Sequence, residues 1–259
     1  MPRAYTRAVS PRLAECQLTH LDRTPIDATK AAGQHAAYEQ ALANAGLDII
    51  RLPDLPDDPD AVFVEDTALL LDGHAIITLP GAASRAGETH STAAGLVGDF
   101  EVHRIGRGQV DGGDVLRIGK RLYVGLSTRT NADGVDALSE IVRPLGFEVI
   151  AARLRDCLHL KSGATFAGMD GSGTPILLYD PKSVDRARFG GVDPVSVDHA
   201  EPTAANCLRA GSFLILPAGN PRTMERLGER GFQVNEVDVT ELQKAEAGVT
   251  CMSLIDERP

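Results

Sequence analysis

Cys251 lies in Gly248-Val249-Thr250-Cys251-Met252-Ser253-Leu254, a thiol among small and β-branched residues beside a short apolar run. Such a setting suits a nucleophile at a strand end facing a pocket, and equally a small core residue, because free cysteine is among the most buried side chains. His159, in Cys157-Leu158-His159-Leu160-Lys161, alternates with leucines and reads as a strand residue whose ring points away from them. Asp114 follows two glycines in Asp111-Gly112-Gly113-Asp114, which allow close backbone approach, and Glu65-Asp66 interrupts an apolar run, where an acid must find a partner or shift its pKa. Asp60, between Pro59 and Ala61, also reads as a simple turn former. Arg85 and Arg129 follow the second β-runs of consecutive segments. Each alone reads as a solvated loop cation, and their matched placement suggests a joint carboxylate clamp.

The elements that must position these residues recur. An apolar run over 62–71, the turn dipeptide Asp72-Gly73 and the run 75–79 predict a hairpin. A helix from Gly87-Glu88 and a strand from Phe100 follow. The order returns as Val110–Ile118, Leu122–Leu126, a helix over Gly134–Val142 and the strand Phe147–Ile150. A third copy starts at Leu158 and contains Ile176–Tyr179, and a fourth runs from Asn206 to Val234. Before them, Asp27 caps a helix carrying Ala31, His35, Tyr38, Leu42 and Ala45 at helical spacing, Gly46 stops it, and 49–52 reads as a strand. Asp66 and Asp114 stand 48 residues apart, as do Asp111 and His159, while Phe100 and Phe147 are separated by 47. A period of roughly 50 residues marks repeated supersecondary units. With the N-terminal segment as a fifth, incomplete-looking copy, the expectation is one α/β domain over 1–259, its ββαβ units arranged radially so that Asp66, Asp114 and His159 converge on a central mouth. Cys251 can join them from the closing strand.

Composition narrows the function. The chain has 259 residues, 43% of them apolar, enough for a substantial core. A net charge of −10 argues against nucleic-acid binding and suits attraction of a small cation. There is no apolar leader and no run of about 18 apolar residues, so no membrane role is expected and a soluble cytoplasmic protein is. Four cysteines without CxxC pairing read as reduced thiols rather than a zinc knuckle or a disulfide framework.

Taken together, Phe63-Val64-Glu65-Asp66, Gly112-Gly113-Asp114-Val115, Arg129-Thr130-Asn131, Leu158-His159-Leu160-Lys161-Ser162 and Thr250-Cys251-Met252-Ser253-Leu254 make the chain resemble, over nearly its whole length, the dimethylarginine dimethylaminohydrolase family. This family belongs to the guanidine-modifying superfamily of five-bladed α/β propellers, or penteins, built of ββαβ units around a central active-site channel. The resemblance implies hydrolysis of Nω-methylated arginine to citrulline and a methylamine, without cofactor or metal. It implies Cys251 as nucleophile, His159 as proton donor and Asp114 as the acid beside the histidine. Asp60, Glu65 and Asp66 would hold the cationic end of the substrate, Arg85 and Arg129 its carboxylate, and Leu18 and Ala245 would make backbone contacts. The expected partner is the small-molecule substrate, with a homodimer as one assembly open to it. Arginine or agmatine deiminase activity is the alternative within the superfamily. From other classes come a zinc hydrolase using Cys251, His159 and Asp114, and a non-enzymatic propeller that binds a partner.

Overall fold

The computed structural model describes residues 1–258. Strand β1 (Arg3–Thr6) leads to helix α1 (Ala28–Asn44) and strand β2 (Asp48–Arg51). The Asp27 side chain accepts the Lys30 N–H at the helix start, Ala31, Tyr38 and Leu42 point into the core, and Gly46 turns the chain away with φ +89°. The next unit is β3 (Ala68–Leu71), β4 (His74–Ile77), α2 (Glu88–Leu96) and β5 (Glu101–Arg104). Its hairpin turns at Asp72 and Gly73, both with positive φ, as a two-residue type I′ connection requires. The third unit is β6 (Val115–Ile118), β7 (Arg121–Leu126), α3 (Ala132–Val142) and β8 (Glu148–Arg153). The fourth has the one-turn helix α4 (Leu160–Gly163), then β9 (Ala164–Met169), β10 (Pro175–Tyr179) and β11 (Asp193–Ser196), with only a 3₁₀ turn at Arg186–Arg188 in the crossover. The fifth is β12 (Leu208–Ala210), β13 (Phe213–Pro217), α5 (Pro221–Glu229) and β14 (Gln233–Val237), after which come α6 (Thr240–Gln243) and β15 (Leu254–Asp256).

These strands form five three-stranded sheets of one design, an antiparallel hairpin whose second strand pairs in parallel with a third after the crossover. The first sheet obeys the same rule only by borrowing: β15 supplies the antiparallel partner of β1, and β1 pairs in parallel with β2. The incomplete-looking N-terminal copy is thus completed from the other end of the chain, and the result is a five-bladed α/β propeller. Residues from the first strand of every blade, Leu70, Leu116, Phe166, Leu208 and Ile255 among them, line an axial cavity of about 680 Å³. Buried apolar side chains gather in five clusters, each spanning a seam between adjacent blades. Leu69 and Ile76 pack with Leu138 and Val142 in one, and Tyr5 and Leu254 with Ile77 and Leu96 in another. No described helix is long and apolar enough to cross a membrane.

Two stretches expected as strands are turns. Val64–Thr67 is a 3₁₀ turn, closed by the Thr67 hydroxyl donating to the Val64 carbonyl at 2.7 Å. His159 is extended but α4 begins immediately after it, because the Asp114 carboxylate accepts the Leu160 N–H at 2.9 Å and caps the helix from another blade.

Candidate active site

Each blade's first strand is entered through a tight turn, and these turns hold the polar residues: Val64–Thr67 before β3, Gly112–Asp114 before β6, α4 before β9, Pro202–Ala205 before β12, and the Gly248–Cys251 turn before β15. Radial repetition brings the five turns together. Cross-blade hydrogen bonds then fix them: Glu65 N–H donates to the Cys251 carbonyl at 3.1 Å, Gly113 N–H to Asp66 Oδ1 at 3.0 Å, and Asn206 Nδ2 to both the Lys161 carbonyl and Thr250 Oγ1.

His159 is buried, with Nε2 3.1 Å from Asp111 Oδ2 and Nδ1 4.0 Å from Asp66 Oδ1. Burial works against its charge, but Asp66, the Asp111 hydrogen bond and Asp114 overcome it and raise the pKa to about 9, so the ring is an imidazolium at neutral pH. The acid bonded to the ring is Asp111, while Asp114 lies beside the histidine and also favours its charge. Asp114 spends Oδ1 on Leu160 N–H and Oδ2 on the Ser127 hydroxyl, and so sets the backbone that carries the histidine. Gly113 must lack a side chain, since a Cβ there would stand 2.7 Å from His159 Nδ1 and 2.8 Å from Asp66 Oδ1.

The Cys251 sulfur accepts the Gly248 N–H at 3.3 Å. Burial, then the charges of Glu65 and Asp66, push its pKa up to about 12, so it rests as a thiol. Glu65 is held on both oxygens, by Lys161 Nζ at 2.5 Å and by Thr250 Oγ1 at 2.7 Å. Asp66 accepts Arg85 Nη1 at 2.5 Å, and although burial opposes ionisation, His159 and Arg85 hold its pKa down to about 2. Asp60 is buried and accepts the Gln17 N–H, and burial raises its pKa.

The two arginines separate. Arg129 is also buried, with Nη2 3.1 Å from Thr19 Oγ1 and Nη1 3.7 Å from Asp111 Oδ2. Arg85 is 3% exposed, so it is not a solvated loop cation. Its donors are taken by Glu88, Asp66 and the Phe63 and Asp60 carbonyls, a buried network whose acids outweigh the burial that opposes its charge. Leu18 is partly buried and Ala245 buried, both against the same core cluster. Beside Ala245, Glu246 adopts φ +61° and its carboxylate receives the N–H groups of Thr19, His20 and Leu21. Sequence reasoning missed Asp111, Lys161, Glu88, Asn206 and Glu246 as site residues. The 48-residue offset from Asp111 to His159 was the one signal that could have paired them.

Asp66, Asp111 and His159 are the carboxylate and imidazole groups whose atoms converge closely enough here for a cation. The set proposed for zinc, Cys251, His159 and Asp114, does not gather among the described residues, because both Asp114 oxygens are committed elsewhere.

No family model matches the chain. Among curated proteins it is 39% identical over 233 residues to the N(G),N(G)-dimethylarginine dimethylaminohydrolase of Pseudomonas aeruginosa, covering 88% of this chain and 89% of that one. It is 38% identical over 260 residues to the enzyme of the same name from Streptomyces coelicolor, covering 97% and 96%. Among solved structures, the P. aeruginosa protein as a cysteine-to-serine mutant complexed with citrulline superposes with a TM-score of 0.91 at 36% identity, covering 98% of each chain.

Proposed function

This chain belongs to the dimethylarginine dimethylaminohydrolase family, and we propose that it hydrolyses Nω-methylated arginines to citrulline and methylamine or dimethylamine, with Cys251 as nucleophile and His159 as proton donor. The observation that carries the reading is electrostatic. A thiol held protonated lies by the buried carboxylates Glu65 and Asp66, and an imidazole held charged lies by Asp66, Asp111 and Asp114, so Asp66 acts on both. A guanidinium entering that field adds the positive charge that the thiol lacks, and it favours loss of the thiol proton to solvent. The thiolate then forms a C–S bond to the guanidinium carbon. His159 gives its proton to the amine as the C–N bond breaks, leaving a covalent thiouronium on Cys251. Now neutral, His159 takes a proton from water, the hydroxide attacks the same carbon, and the C–S bond breaks to release citrulline. In this scheme Asp111 holds the ring upright and charged, Asp60 and Asp66 supply the field for the cation, and Arg129 faces the substrate's carboxylate. Leu18 and Ala245 offer backbone groups to the substrate.

Citrulline release from asymmetric dimethylarginine, monomethylarginine, arginine and agmatine, measured side by side, tests the substrate class. Cys251→Ser should abolish turnover with the fold intact, and quenched wild-type enzyme should carry a covalent adduct at Cys251. Serine-variant activity equal to wild type ends the thiol mechanism, and faster turnover of agmatine than of any methylarginine ends the substrate assignment. Cytoplasmic residence fits the chemistry, since a reducing compartment preserves the free thiol; cell fractionation checks it.

A further inference from the structure

His74 opens β4 and Glu101 opens β5, and the parallel register sets the two side by side, with His103 two residues further along β5. They occupy the end of β4 remote from Thr78, the residue whose N–H bonds Thr67 of the active-site turn. His74 Nδ1 and His103 Nε2 stand 3.1 Å apart. Glu101 reaches both rings, with Oε2 3.5 Å from His74 Nδ1 and Oε1 3.6 Å from His103 Nε2. A hydrogen bond between two neutral imidazoles explains only the first contact. One ring donates its single N–H there, the other turns a lone pair toward it, and the carboxylate is left facing no free donor. Metal–ligand bonds of about 2.0–2.2 Å place adjacent ligands of a tetrahedral ion roughly 3.3–3.6 Å apart, and one ligand atom from each of His74, Glu101 and His103 lies within 4.8 Å of the other two.

We propose that His74, Glu101 and His103 bind a divalent first-row transition metal of the zinc class, outside the thiol site. Two imidazoles and one carboxylate suit zinc, cobalt or nickel, whereas magnesium and calcium seek oxygen-only sets. The histidine side chains are 24% and 26% exposed and the glutamate 69%, which leaves the remaining coordination position to water. An ion there ties β4 to β5 across the parallel pair of the second blade. It stabilises the folded chain by mass action and takes no part in turnover.

The test uses the untagged chain carrying Cys251→Ser, which removes the thiol as a ligand. This parent and the same chain with His74→Ala and His103→Ala are titrated with zinc by calorimetry and with cobalt(II) by visible absorption, and are melted with and without zinc. The parent should bind one equivalent more than the double-histidine variant and show a zinc-induced rise in Tm that the variant lacks. Should that variant fold poorly by circular dichroism, Glu101→Gln, a near-isosteric change at an exposed position, carries the comparison and should weaken zinc binding at least tenfold. Equal stoichiometry and equal Tm shifts in parent and double variant, including no binding in either, overturn the proposal, as does unchanged affinity in Glu101→Gln.

Discussion

Cys251 and His159 share the acid Asp66, and buried acids act on them to different ends, the thiol made less acidic and the imidazolium made to persist. With His159 near 9, kcat/KM should fall on an alkaline limb close to that pH, and Asp111→Asn should move the limb downward while lowering kcat by about 10²- to 10⁴-fold, the usual worth of general acid catalysis. An unmoved limb in Asp111→Asn would detach the carboxylate from the ring. The same shift has a stability sign. The folded pKa lies above the unfolded value of about 6.5, so the stabilisation from charged His159 is full below that value and is lost as pH rises through 9. Arg85 and Arg129 should also part in experiment. Arg85→Ala leaves Asp66 and Glu88 buried without their cation and should cost about 3–5 kcal/mol, read as a lowered urea midpoint. Arg129→Ala should raise KM for methylarginine far more than for agmatine, which has no carboxylate. The thiol, the histidine and the run of acids were legible in the sequence. Which aspartate of Asp111-Gly112-Gly113-Asp114 meets the ring was not, since two residues of one type flank two glycines and only the rotation of a 3₁₀ turn chooses between them.

At the scale of elements, hairpins and crossover helices could be read because their signals are local: the Asp27 cap, the stop at Gly46, the Asp72-Gly73 turn. The entry turns could not, because a four-residue turn shows no period and its cap comes from elsewhere, as Asp114 caps Leu160 from a position 46 residues away. These turns are nonetheless where small changes should matter most. Gly113→Ala adds one methyl that must displace His159 or Asp66, so turnover should drop while far-UV circular dichroism stays unchanged; wild-type kinetics in that variant would show the turn to be compliant. Glu246→Ala removes the acceptor shared by three backbone N–H groups over Thr19–Leu21. Their amide exchange should then quicken, and KM should rise as the segment bearing Thr19, the Arg129 partner, loosens.

Across the whole molecule, every core cluster is a seam between blades, so no blade buries its apolar face alone. The seam containing Leu254 depends on β15, and Leu254→Asp should therefore lower Tm by many degrees and abolish citrulline release together, whereas loss of activity with an unchanged melt would place the damage in the site alone. The pairing of Arg3 with Asp256 spans 253 residues, and it also orders events in time. A ribosome adds about 5–20 residues each second, so β1 waits roughly 10 to 50 seconds for the strand that completes its sheet. The four other sheets are local in sequence and can pair as they emerge. Cys251 lies three residues before the awaited strand, so a nascent chain can carry His159 and most of its acids yet remain chemically silent until β15 clears the exit tunnel.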